Sequence, residues 1–318
     1  MKINLLKSLF TDISKTSSIN TTKLVDILSK DNPTDIVDIL KNKDLQQILK
    51  DLLSDLTTKT KTSKAILEML KNETVFKEFK SFSSEIKTLL KLTDKANIKE
   101  EKLSTLKQIS TDIKFIDEKI LKNNIAKSGI FLESYLKTFA KSINSNEKNA
   151  IKQNILEDTK TILLKLKDEN PDNKELVKQS NKLLTQIDYY QLLSLTNESN
   201  HTYLPFSWDD LEDGNIEFKQ QSKENFVCHI SLQLKYYGKL KINMIFDKPN
   251  KLTMSFFVEE IDLKQNIQNN LQLLRQKIKS AGIELNLLNV WDMIQAEQNK
   301  QIQAYQNYQN HFGVDIKV

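Results

Sequence analysis

Cys228 and His229 are the one juxtaposition in this chain that suggests nucleophilic chemistry, a thiol beside an imidazole able to take its proton. Apolar and polar residues alternate around them, which is the pattern of a strand, and on a strand successive side chains leave on opposite faces. The two cannot form a hydrogen-bonded dyad with each other. Cys228 shares its face with Phe226 and Ile230 and reads as a small core residue. His201, His229 and His311 lie far apart, without the helical or turn-linked spacing of metal ligands. The acidic run Asp209-Asp210-Leu211-Glu212-Asp213 lacks the alternating ligand positions of a calcium loop, so a solvated turn before a strand at Ile216 is expected. There is no glycine-rich phosphate loop, no HExxH and no Gly-x-Ser-x-Gly. The expectation is a protein without catalytic residues, cofactor, metal or small-molecule substrate.

Charge narrows the partners. The formal net charge is +5, but the chain has one arginine, Arg275, among 47 basic residues. Base readout and bidentate phosphate clamps favour arginine, and the lysines are interleaved with acids rather than gathered into a patch, so nucleic acid is not an expected partner. The single cysteine excludes an intrachain disulfide. No apolar run approaches the roughly 18–20 residues that span a bilayer, and Met1 to Lys7 has no signal-peptide core. A soluble, cytoplasmic protein is expected, with export by a route that cleaves no signal still open.

The side chains are positioned by two kinds of sequence. From Phe226 to Tyr236 apolar residues recur at every second position; Tyr237-Gly238-Lys239 interrupts them, and Leu240, Ile242, Met244 and Phe246 resume the period. Asp247 to Asn250 is a turn, and Leu252, Met254, Phe256 and Val258 form a third alternation. At Asp262 the period changes to about 3.6: Leu263, Ile267, Leu271, Leu274 and Ile278 share one helix face. Asp262 with Gln265 has the form of a capping box, Gly282 suits a left-handed helix end, and Ile283, Leu285 and Leu287 make a last strand.

The remainder reads as helix, since five glycines and four prolines punctuate 318 residues. Residues 1–120 form a helical, partly ordered region, and 121–200 a helical connector. In the connector Leu121, Ile125, Leu132, Leu136, Phe139 and Ile143 lie on one helix face. Ser128-Gly129 sits within that stripe, where a small residue would let a second helix approach. Ile155, Thr159, Ile162 and Leu166 mark the next helix, and Leu176, Leu183, Ile187 and Tyr190 a third, fading into a linker at Asn197 to Asn200. The 201–290 segment is a small β-β-β-α-β domain, and 291–318 a glutamine-rich polar tail. The fold class is α+β, a mostly helical N-terminal region followed by that domain.

Four stretches taken in order carry a family likeness: Ser128 to Ser134, Asp158 to Leu164, Gln186 to Leu195 and Leu204-Pro205-Phe206. With the glycine-centred strand turn of Leu234 to Met244 and the helix and strand of Leu273 to Leu285, they resemble the C-terminal part of flagellar hook-length control proteins. The resemblance spans about residues 125–290. Members commonly carry Pro-Leu before the glycine, where this chain has Tyr236-Tyr237, and a proline- and glutamine-rich middle region that this chain lacks. What the resemblance implies is a flagellar, non-enzymatic protein, exported through the type III apparatus. Its C-terminal domain would bind the cytoplasmic domain of the export-gate membrane protein and switch export from hook to filament subunits, with hook and hook-cap proteins as further partners. Gly238, Leu240, Ile242 and Leu274 fall where the family places its turn glycine and switch-critical apolar residues. Their periodicity alone makes Leu240, Ile242 and Leu274 core residues. The alternative is a secretion-associated interaction or scaffold protein that shares the domain but measures no hook.

Overall fold

The structure is a computed structural model; it describes residues 79–293 apart from 143 and 198, together with Leu67 and Leu70. The helical stripes expected before residue 66 and the tail beyond residue 293 lie outside the described residues. The chain divides into two compact units between Asp209 and Asp210, and the class is α+β. No helix among the described residues is long and apolar enough to cross a membrane.

In the first unit, helices α1 (Phe82–Lys95), α2 (Ser104–Ile109), α3 (Glu118–Ala126), α4 (Leu132–Lys141), α5 (Ser145–Leu156), α6 (Thr159–Glu169) and α7 (Lys174–Asn197) precede a short strand, β1 (Asn200–Tyr203). The long helix α7 organises them. Its buried residues fall on every side of the helix, from Leu176 through Leu183, Ile187 and Leu192 to Leu195, as required of a helix enclosed by its neighbours. Packed on it are α6, α1 and β1. One apolar cluster joins Ile86 and Leu89 of α1, Leu106 of α2, Leu163 of α6 and Ile187 of α7. The boundary expected near residue 120 therefore falls inside a single core, because the apolar stripe of α1 is buried against α7.

Two expected helices are each broken in two. The stripe from Leu121 to Ile143 stops at Ala126 and restarts at Leu132, and Gly129 between them has φ +87°. Glycine is used here for the left-handed turn rather than inside a helix. The close approach expected at this position is real: a Cβ on Gly129 would lie 2.8 Å from Ile187 Cδ1. The second break is at Glu157-Asp158, where Asp158 caps α6 by accepting the Lys160 N–H at 2.9 Å. Its other oxygen accepts the Gly129 N–H at 3.2 Å, so one buried carboxyl ties the two breaks together.

The linker expected at Asn197 to Asn200 runs into β1, and the residues after it, expected to open the C-terminal domain, are buried in the first unit. His201, Thr202 and Tyr203 are almost inaccessible; Ser194 Oγ accepts the His201 N–H at 2.8 Å, and the Tyr203 ring stacks on Phe82 and donates its hydroxyl to the Ser128 carbonyl at 2.8 Å. Polar composition is no guide to exposure here, because the His201 N–H and the Tyr203 hydroxyl find partners within the unit.

The second unit contains β2 (Leu211–Gln220), β3 (Asn225–Leu234), β4 (Gly238–Asp247), β5 (Lys251–Val258), α8 (Ile261–Ser280) and β6 (Glu284–Asp292). Strands β2 to β5 form an antiparallel meander, and β6 pairs parallel to β5 after the α8 crossover. The sheet thus has one strand more than β-β-β-α-β. The added strand is β2, which contains the strand expected at Ile216 but begins at Leu211, within the acidic run read as a turn. Asp209-Asp210 does turn, but Glu212 and Asp213 belong to the strand at a register shift, and burial pushes the Asp213 carboxyl above its usual range. At the other end, β6 runs through Trp291 and Asp292, two residues read as tail. Helix α8 starts at Ile261, not after Asp262; Glu260 occupies the N-cap without a side-chain cap, and Asp262 sits in the first turn, where a negative charge suits the helix dipole. Gly282, at φ +77°, ends α8 as expected.

Candidate functional site

The period of two places the β3 and β4 apolar residues in rows that run across the sheet. Gly214, Leu232, Leu240 and Val258 form one row, Ile216, Ile230, Ile242 and Phe256 the next, and Phe218, Cys228, Met244 and Met254 a third, all on one face. Leu240 is 5% exposed and belongs to the core. Ile242 is half-buried, as are Ile230, Met244 and Phe246. The reason is the placement of α8, which lies against β6 and β5. Met254, Phe256 and Val258 of β5 are buried, while the same rows stay partly open on β3 and β4.

Two ends of the β3 alternation depart from expectation. Phe226 and Tyr236, read as inward-facing, are 37% and 76% exposed. Phe226 is near the start of β3, where Lys248 Nζ lies 5.5 Å from its ring, and Tyr236 is in the turn after the strand. Val227, on the opposite face, is buried instead.

Gly238 opens β4 opposite Leu234, at φ +62°. The Glu259 carboxylate folds over it, accepting the Lys239 N–H at 2.6 Å, and a Cβ on residue 238 would stand 2.3 Å from Glu259 Oε2. Glycine is needed for both backbone and space. Gly238→Ala should cost the sheet unit about 2 kcal/mol, from left-handed strain and displacement of the carboxylate. In a Glu259→Ala background the cost should fall, because only backbone strain remains; equal losses in both backgrounds, measured by urea unfolding, would refute the coupling. Nothing in sequence spacing signals Glu259, whose role depends on β4 and β5 lying side by side.

Of the four candidates, the structure brings Gly238, Leu240 and Ile242 together on β4. Leu274 is half-buried on α8, which lies over β5 and β6 rather than β4. They do not converge on one pocket.

Cys228 and His229 do face opposite sides. Cys228 is aligned with Phe218 and Met244, while His229 Nδ1 lies 2.8 Å from Asn243 Oδ1. Burial, with Glu217 nearby, pushes the Cys228 thiol up to about 11. Its thiolate is therefore scarce at neutral pH. Alkylation by iodoacetamide should run about a hundredfold slower in the folded chain than in urea, from the rise above the ordinary 9.0; equal rates would refute the burial. Among the described residues no three His, Cys, Asp or Glu side chains are grouped to hold a metal. What the site offers is a partly open apolar sheet face, flanked by a helix and suited to binding.

Residues 214–299 match the family described as flagellar hook-length control protein FliK. No curated protein and no solved structure matches the chain. The match begins within β2 and takes in every later element of the sheet unit; the helical stretches from Ser128 to Phe206 that contributed to the resemblance lie outside it. The chain thus carries, in its second folded unit, a domain of the flagellar hook-length control protein family.

Proposed function

We propose that this chain controls flagellar hook length by ending hook export. Its sheet unit binds the cytoplasmic domain of the export-gate membrane protein and turns export from hook-type to filament-type subunits; the chain itself leaves through the same apparatus. The observation that carries this reading is the family match, which coincides with a folded unit of its own. The half-open apolar rows around Ile242 favour a binding role.

The test is genetic. Removing residues 210–318 should give overlong hooks without filaments, because the gate is never switched. Hooks of normal length bearing filaments in that strain would rule the reading out and leave a secretion-associated interaction protein that shares the domain.

A further inference from the structure

Strand β6 ends the sheet of the second unit, so along its outer side a row of backbone N–H and C=O groups is unpaired among the described residues. Exposed edges are ordinarily shielded by charge, proline or a covering segment. This one carries large apolar side chains instead: Leu287 is 48% and Trp291 44% exposed, and both lie on the face away from α8, aligned with Thr253 and Phe257. On the helix side, α8 runs antiparallel to β6. Lys264 pairs with Asp292 at 2.7 Å near one end, and Arg275 and Lys279 overhang the other. Those two cations line an open depression of about 790 Å³ with Gly282, Leu285 and Leu288. Neither has an ion-pair partner among the described residues, and Glu284 is the one acid in that lining. Arg275 is also the chain's sole arginine.

We propose that β6 is the docking edge for an extended, acidic segment of a partner protein, which adds a strand to the sheet. Backbone pairing would supply affinity, and alternate side chains specificity. The two flanks of β6 dictate the pattern of the guest. One set of its side chains, on the α8 side, meets Arg275 and Lys279 and is acidic; the other meets Leu287 and Trp291 and is apolar. Successive side chains of a strand point to opposite faces, so the recognised segment alternates acidic and apolar residues. The proposal rests on the reading that the sheet unit acts by binding a protein, and it assigns a second surface distinct from the rows around Ile242.

The probe is a synthetic peptide of about eight residues, the span of this edge, alternating Val or Ile with Asp or Glu, added to the full chain. It should slow amide exchange along β6, bind more weakly as salt is raised, and lose affinity on the order of tenfold when Arg275→Glu and Lys279→Glu are combined. Both side chains are solvent-exposed, so the fold should survive the change, as circular dichroism would verify. The same peptide with Lys for its acids should not bind. Equal binding of the Lys peptide, or protection away from β6, overturns the proposal. So does slow exchange at the β6 edge before peptide is added. If that protection is independent of protein concentration, the chain's own residues 294–318 hold the edge; if it grows with concentration, a second copy does. Should the peptide fail while removal of residues 210–318 still blocks filaments, the docking edge falls and the switch reading stands. If that removal leaves filaments normal, the switch reading falls whatever the peptide does.

Discussion

Leu240→Ala is expected to destabilise the sheet unit by about 3 kcal/mol, and to impair switching only to the extent that the unit unfolds. Leu240 is buried between Leu232 and Val258 in the antiparallel meander, so removing its isobutyl group loses transfer free energy and leaves a cavity. Ile242, two residues on, lies half-buried between Ile230 and Phe256 where α8 gives no cover, and Ile242→Ala should cost only about 1 kcal/mol. Leu273→Ala, at a residue 51% exposed beside Leu274, should change stability by less than about 0.5 kcal/mol. Urea unfolding measured alongside hook length and filament formation separates packing from contact. If Ile242→Ala abolished filaments in a chain that remained folded, Ile242 would be a contact residue. If Leu240→Ala did so with stability unchanged, its assignment to the core would be wrong.

The helical unit should lose stability as pH rises, opposite to the usual behaviour of a carboxylate held in an ion pair. Asp158 is fully buried between the Lys127 to Phe131 turn and α6, and desolvation, with Glu133 adding to it against the N–H of Lys160, pushes its carboxyl up from 3.8 to about 8. In the unfolded chain the group ionises near 3.8; in the folded chain it keeps its proton to about 8. Between those limits the unfolded state binds fewer protons, so raising the pH favours unfolding by about 1.4 kcal/mol per unit. The favourable contribution is fully present below pH 4 and is lost by about pH 8. Asp158→Asn keeps one oxygen to accept the Lys160 N–H, turns an amide toward the Gly129 N–H in place of the second acceptor, and removes the titration, so its stability should be lower in level but vary with pH less steeply than that of the parent chain. Parallel pH profiles for the two proteins, by thermal unfolding of the helical unit, would show that Asp158 is ionised in the fold.

Local chemistry was enough to read the second unit almost whole. Strands β3 to β5, the face of α8 and the stop at Gly282 each follow from side-chain period or from a φ that glycine tolerates, and these signals lie within a few residues of one another. The same holds for the opposed directions of Cys228 and His229. Signals failed where a residue's surroundings come from distant sequence. The acids of β2 suggested a turn because pairing with β3 cannot be seen from the strand alone, and Phe226 and Tyr236 suggested core because alternation does not say where the cover ends. Gly129 announced a close approach, but only the fold shows a left-handed break with Ile187 filling the space a Cβ would need. The partner of Gly238, the burial of Asp158, and the place of Arg275 and Lys279 beside β6 belong to no single stretch. They arise because tertiary packing sets groups far apart in the chain side by side, and it is that neighbourhood that fixes desolvation, hydrogen-bond partners and exposure.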